Sequence, residues 1–127
     1  PYLLWLDGAD VLLFSSASPG RGLQNNPRLT SSTWVKHTNR AYAGFFTVFV
    51  AHTNRVGYED GLNFWGESTI FDPDGNLLVR APDFEPSLSV TEIDLNQLHR
   101  SRAKLPLLRD ERTSLVQREL ERILSET

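Results

Sequence analysis

Residues 54–75 read Asn-Arg-Val-Gly-Tyr-Glu-Asp-Gly-Leu-Asn-Phe-Trp-Gly-Glu-Ser-Thr-Ile-Phe-Asp-Pro-Asp-Gly. An apolar run from Phe45 to Ala51 precedes them and Asn76-Leu77-Leu78-Val79 follows, so the region divides into strand, polar loop and hairpin. Pro73, Asp74 and Gly75 are what a tight turn demands: Pro presets φ, Asp bonds its own backbone, and Gly accepts φ > 0. A hairpin from about Glu67 to Arg80 is predicted. The loop before it holds Gly57, Gly61 and Gly66 beside adjacent Phe64 and Trp65. An aromatic pair among glycines marks close approach of backbone and ring to a ligand or to another sheet.

Upstream, residues 1–7 read as a helix end stopped by Gly8 in the left-handed conformation. Ala9–Ser16 is a strand whose Val11–Phe14 run is continuously apolar, as expected with both faces covered. Ser15–Pro27, rich in Ser, Gly, Pro and Asn, is a loop leaving the C-terminal end of that strand. Ligands of open α/β sheets bind at such ends. Thr30 or Ser31 caps a helix running to Gly44, with Trp34, Thr38, Ala41 and Phe45 on one stripe and Val35 and Tyr42 beside it. Phe46–Ala51 is the next strand, and strand, helix, strand implies parallel pairing.

Downstream, Ser87–Ile93 alternates imperfectly around Leu88, Val90 and Ile93, which suits an edge strand. Asp94–Lys104 is a short polar helix and residues 106–112 an extended arm. Ser114-x-x-Gln117 forms a capping box for a final helix whose Leu115, Val116, Leu120, Ile123 and Leu124 make an apolar stripe.

At 127 residues the chain is one domain's worth, 39% hydrophobic and 23% charged, ordinary for a globular protein. A net charge of -3 without a concentrated basic face argues against nucleic acid. No apolar run approaches the ~20 residues that cross a bilayer, so no membrane partner is expected, and the reading is of a soluble, cytoplasmic protein. The absence of cysteine excludes disulfides, thiolate metal sites and a cysteine nucleophile within these residues.

Serines, aspartates and His37, His52 and His99 permit a Ser-His-Asp set on paper, but no Gly-x-Ser-x-Gly elbow is present, and Gly66-Glu67-Ser68 lacks the second glycine. His52, at a strand end before Asn54, either lines a crevice or is a hydrogen-bonded structural residue; His37 lies on the solvent side of its helix. No two histidines have helical ligand spacing, so no metal is expected. Glu59-Asp60 reads as a solvated loop rather than an acid-base pair.

Asn54-Arg-Val-Gly, Phe64-Trp-Gly-x-Ser68 and Asp72-Pro-x-Gly75 together resemble the second half of the nitrilase superfamily, the carbon-nitrogen hydrolases. Gly8-Ala-Asp-Val-Leu-Leu with Ser15-Ser-Ala-Ser-Pro19 is similar to the strand and loop shortly after that family's catalytic cysteine. Thr91-Glu-Ile-Asp-Leu and Arg109-Asp-Glu-Arg112 resemble its last strand and C-terminal arm, so the likeness is collinear over about residues 3–112.

The resemblance implies an α/β fold: half of a four-layer αββα sandwich over residues 1–104, with a C-terminal arm and helix over 105–127. It implies hydrolysis of non-peptide C–N bonds in a small amide, carbamoyl or nitrile substrate, without a cofactor. In that chemistry a thiolate attacks the carbon, a Glu carboxylate shuttles protons and a Lys ammonium steadies the developing charge. None of the three has a matching position here, so no catalytic residue is expected in this chain. On the family pattern Ser16, Ala17 and Ser18 face the nucleophile's pocket, Asn54 steadies the adjoining loop, Glu59, Phe64 and Trp65 are pocket wall, and Ser68 holds the hairpin, with His52 nearby. The chain opens on the already apolar Pro1-Tyr-Leu-Leu-Trp-Leu6 at the family's midpoint. It is therefore expected to be a piece of a longer chain, to be inactive alone, and to pair with an N-terminal half or a homo-oligomeric partner through its uncovered surfaces.

Overall fold

The computed structural model describes residues 1–21 and 30–126. In chain order it contains α1 (Tyr2–Leu6), β1 (Val11–Ser16), α2 (Thr30–Phe46), β2 (Phe49–Asn54), β3 (Val56–Glu59), β4 (Leu62–Trp65), β5 (Thr69–Phe71), β6 (Leu77–Arg80), α3 (Asn96–Lys104), α4 (Leu107–Asp110) and α5 (Thr113–Ser125). The loop expected over Ser15–Pro27 is described only to residue 21; residues 22–29, which include the rest of it, lie outside the described residues, as does residue 127.

Gly8 ends α1 as expected. At φ +91 it lets Ala9 N–H reach the Leu4 carbonyl and its own N–H reach that of Trp5, closing the last turn. The chain enters β1, crosses through α2 and returns as β2, parallel to β1 with Val11 opposite Phe49 and Ser16 opposite Asn54. β5 pairs antiparallel with β2, and β6 with β5, giving a four-stranded mixed sheet in the order β1-β2-β5-β6. The hairpin expected between Glu67 and Arg80 is the β5–β6 pair, with Gly75 at φ +79 in its turn. The carboxylate that bonds this turn is that of Asp72, not Asp74: its Oδ1 accepts from the N–H groups of Asp74 (2.9 Å) and Asn76 (2.8 Å).

Registration sorts the sheet into cross-strand rows. Leu12, Val50 and Phe71 lie side by side beneath α2 and join Trp5, Ala43, Phe46 and Val48 in the core. On the opposite face Leu13, Ala51, Ile70 and Val79 form a second apolar row that nothing covers fully, and Leu13 is 78% exposed. The expectation that the Val11–Phe14 run is buried on both faces is therefore corrected: among the described residues only one face of β1 is covered, and Leu13 on the other stays exposed.

Other boundaries differ for physical reasons. Gly44 does not stop α2, which runs on to Phe46 and turns at Thr47 in the left-handed conformation (φ 50). The buried face of α2 is Ser32, Asn39, Ala43 and Phe46, while Trp34 and Phe45, expected on the packing stripe, are exposed. β2 accordingly begins at Phe49 rather than Phe46.

The polar loop expected after Asn54 is a second antiparallel hairpin, β3–β4, turning through Asp60 (φ 49) and Gly61 (φ 78). Two residues at positive φ give the turn type whose twist matches the strands, and Asp-Gly is its sequence signature. Residues 87–93 form no strand: Leu88 is 91% and Val90 83% exposed, with no neighbouring strand to pair among the described residues.

The arm is not fully extended. α4 interrupts it, Leu107 and Leu108 pack on the core, and Tyr2 Oη donates to Glu111 Oε1 at 2.9 Å. α5 starts at Thr113 without the side-chain cap expected of Ser114, and none of its residues is buried. No helix among the described residues is long and apolar enough to cross a membrane.

Candidate functional site

The layer between α2 and the sheet changes character along the strands. Beyond the apolar Leu12–Val50–Phe71 row comes Phe14–His52–Thr69–Arg80, and beyond that the Ser16–Asn54 pair at the C-terminal ends of β1 and β2. Three of these later side chains, His52, Asn54 and Thr69, are buried although polar; His52 and Asn54 find partners within the protein, while the Thr69 hydroxyl has none among the described residues.

Most partners come from one network. Ser16 Oγ lies 2.8 Å from His52 Nε2 and 3.0 Å from Asn54 Oδ1. The same Asn54 oxygen accepts the backbone N–H of Ser18 at 3.0 Å, and Ser18 Oγ reaches Ser16 Oγ at 3.4 Å. Asn54's own N–H donates to Ser68 Oγ at 3.0 Å, which ties the network to the β5–β6 hairpin. Residues beyond β1 are strapped to β4 by a Pro19–Phe64 bridge and by Gly20 N–H to the Asn63 carbonyl. Burial lowers the pKa of His52, so its imidazole is held neutral. A cleft of about 250 Å³ opens beside it, walled by Phe14, Trp34, Tyr42 and Asn39.

Thus Ser16, Ser18, His52, Asn54 and Ser68 are brought together. Ala17 sits exposed in the same loop without joining the network. The other three expected pocket residues lie outside this hydrogen-bond network, with Phe64 beside its loop through the Pro19 bridge. Glu59 is exposed on β3 and pairs with Arg55 four residues earlier; that pairing is the first cause of its lowered pKa. Phe64 is buried, with the Arg55 guanidinium 4.7 Å from its ring centroid. Trp65 is 2% exposed and packs inward, so it presents no surface to a ligand in this chain.

Sequence reasoning missed Glu67. Its carboxylate is buried, with Oε1 held by Lys36 and by Arg80 Nε (2.7 Å) and Oε2 by the Ser32 hydroxyl. Arg80 also holds Asp83 at 2.8 Å. Burial pushes the Glu67 pKa up, but the bonds from Lys36, Ser32 and Arg80 and the Lys36 charge outweigh it, and the net shift is downward. Its backbone is strained into the left-handed region (φ 53) directly after Gly66 (φ 71). The clamp joins the N-terminal half of α2 to the hairpin beside Ser68. The available sequence signal was Ser32 and Lys36 at helical i, i+4 spacing, two donors on one face.

Among the described residues no group of three His, Asp or Glu comes together to hold a metal. The site offers a rigid, neutral set of hydroxyl, amide and imidazole groups at a strand-end crevice, and no thiol.

The sequence model of the carbon-nitrogen hydrolase family matches residues 1–103. N-carbamoylputrescine amidase of Oryza sativa subsp. japonica is 29% identical over 118 residues, 87% of this chain and 38% of the relative. Among solved structures, the carbon-nitrogen hydrolase from Helicobacter pylori G27 superposes with a TM-score of 0.72 at 25% identity, covering 94% of this chain and 43% of that one. A C145A mutant of the Nesterenkonia AN1 amidase from the nitrilase superfamily gives 0.58 at 29% identity, covering 80% and 35%. The chain spans less than half the length of each.

Proposed function

The chain belongs to the carbon-nitrogen hydrolase family, and from that premise we propose that it is part of a hydrolase of non-peptide C–N bonds, with amide or carbamoyl substrates ahead of nitriles. The rice relative is by name an amidase of an N-carbamoyl amine, which is why those classes come first. In this reading the Glu, Lys and Cys of the reaction are supplied outside the 127 residues, which contain no cysteine. Residues 1–104 provide half of the hydrolase domain, and residues 105–127 provide an arm that contacts a partner.

The observation that carries the reading is the polar network at the ends of β1 and β2 in a family member without a nucleophile. Ser16, Ser18, Asn54 and Ser68 hold a pocket-forming loop that has no reacting group of its own. Three surfaces support a complementary half. Among the described residues the Leu13–Ala51–Ile70–Val79 row is open, β1 is hydrogen-bonded on one side only, and residues 87–93 alternate like a strand without pairing.

The test is ammonia release from a panel of small amides and N-carbamoyl amines. The chain alone is expected to release none; the chain joined to a cysteine-bearing N-terminal half is expected to turn over. Turnover by the purified 127-residue chain sinks the proposal.

A second reading, a non-catalytic assembly module, is favoured by α5, whose Leu120, Ile123 and Leu124 are 53%, 50% and 74% exposed on one stripe. Replacing Leu120 and Ile123 by Glu is then expected to dissociate an oligomer in sedimentation. An unchanged profile removes it.

A further inference from the structure

We infer that His52 is a positioning residue: as its Nε2–H tautomer it donates to Ser16 Oγ, Ser16 donates on to Asn54 Oδ1, and this one-way relay fixes the Ser16–Ser18 loop. The inference deepens the hydrolase reading and rests on it for the loop's role beside the substrate.

The direction follows from one group that cannot reverse. The Ser18 backbone N–H lies 3.0 Å from Asn54 Oδ1, and a peptide N–H only donates. The atom facing it must therefore be the amide oxygen, because turning the Asn54 amide over would set donor against donor. With that oxygen fixed, Ser16 Oγ at 3.0 Å can only donate to it. Ser16 has a single proton, so its 2.8 Å contact with His52 must be made by a proton on Nε2. Ser18 Oγ supplies a second donor to Ser16 at 3.4 Å, and the two lone pairs of the Ser16 oxygen are then used.

Burial keeps the imidazole neutral, which leaves a bare lone pair on Nδ1, an atom buried without a partner among the described residues. The same polarity separates this contact from a serine–histidine nucleophile. There the histidine must accept the serine proton, whereas here the proton on Nε2 points at the serine oxygen and Ser16 is not activated.

The tautomer is read directly by long-range 1H–15N correlation spectra of the 15N-labelled chain. His52 is expected to show a protonated, pyrrole-type Nε2 and a pyridine-type Nδ1, while exposed His37 and His99 show averaged signals. An Nδ1–H form, or an averaged signal for His52, overturns the relay. Ser16→Ala is expected to release His52 to averaging. His52→Leu is expected to raise hydrogen exchange at the Ser18 amide several-fold, and His52→Gln, which keeps a side-chain donor, is expected to restore protection. Ser18 exchange that is unchanged in His52→Leu also overturns it. Because the wild-type tautomer needs no variant to fold and no turnover, the two readings fail separately. Ammonia release by the completed hydrolase with an averaged His52 removes the relay alone, and a locked tautomer without ammonia release removes the hydrolase reading alone.

Discussion

The two ends of the layer between α2 and the sheet share α2, β1 and β2 and do opposite things. At one end Phe46 packs 5.1 Å from Trp5 and 5.8 Å from Tyr42, ring centre to ring centre, over Leu12, Val50 and Phe71. Such contacts are nondirectional and stabilise in proportion to the area they bury. At the other end Ser32 and Lys36 of α2 meet Glu67, and His52 and Asn54 meet Ser16 and Ser18. Those contacts contribute little net stability each but hold atoms in one arrangement. The difference teaches that this chain stores its stability at one end of a helix and its geometry at the other.

The contrast can be broken most severely at the apolar end. Phe46→Ala is expected to cost about 3–5 kcal/mol by opening a cavity in the core, read as a lower urea midpoint. Glu67→Ala is expected to cost less, about 1–3 kcal/mol, since it leaves Lys36 and Arg80 short of a partner while both keep some contact with water.

Acid separates the two ends without mutation. His52 has a folded-state pKa below its ordinary 6.5, so the unfolded chain takes up its proton first and stability falls as pH drops below that value. Glu67 lies below its ordinary 4.5, so its contribution is present above that pH and is lost as pH falls through the depressed folded value. Thermal melts from neutral to acid pH are expected to show both losses, with the first absent in His52→Gln and the second absent in Glu67→Gln.

The smallest expected effect is a gain. At Gly44, inside α2, an added Cβ meets nothing closer than 3.9 Å, so Gly44→Ala is expected to raise stability by about 0.5–1 kcal/mol. A fall in the melting temperature would mean that α2 must move against the β5–β6 turn.

Much of the fold was legible because its signals are local. Apolar runs on either side of a helical segment gave the parallel β1–β2 pair, and Pro73 with Gly75 gave the β5–β6 hairpin. The β3–β4 hairpin was hidden in plain view: Asp60-Gly61 is a turn signature, but the glycines and aromatics around it read as a polar loop close to a ligand or another sheet. The packing face of α2 was misassigned because the stripe was drawn through the large apolar Trp34 and Phe45, whereas the sheet beneath selects Ser32, Asn39, Ala43 and Phe46. Of the site, the family motifs led to Ser16, Ser18, Asn54 and Ser68, which the structure joins with His52. Glu67 escaped because its partners lie 31 and 13 residues away in sequence, and a lone carboxylate between Gly66 and Ser68 looks like surface.

The exposed segment that carries Leu88 and Val90 is fastened at both ends. On one side the Phe84 N–H donates to the Trp65 carbonyl at 2.8 Å; on the other Gln97 donates to Asp72 Oδ2 at 2.9 Å. It is therefore a closed loop and not a free tail, and the part of the chain entropy that belongs to bringing its ends together is already gone before any strand docks. A sheet edge held in the same assembly by other contacts would meet it at high effective concentration, so that weak pairing at each residue would add to contacts already made.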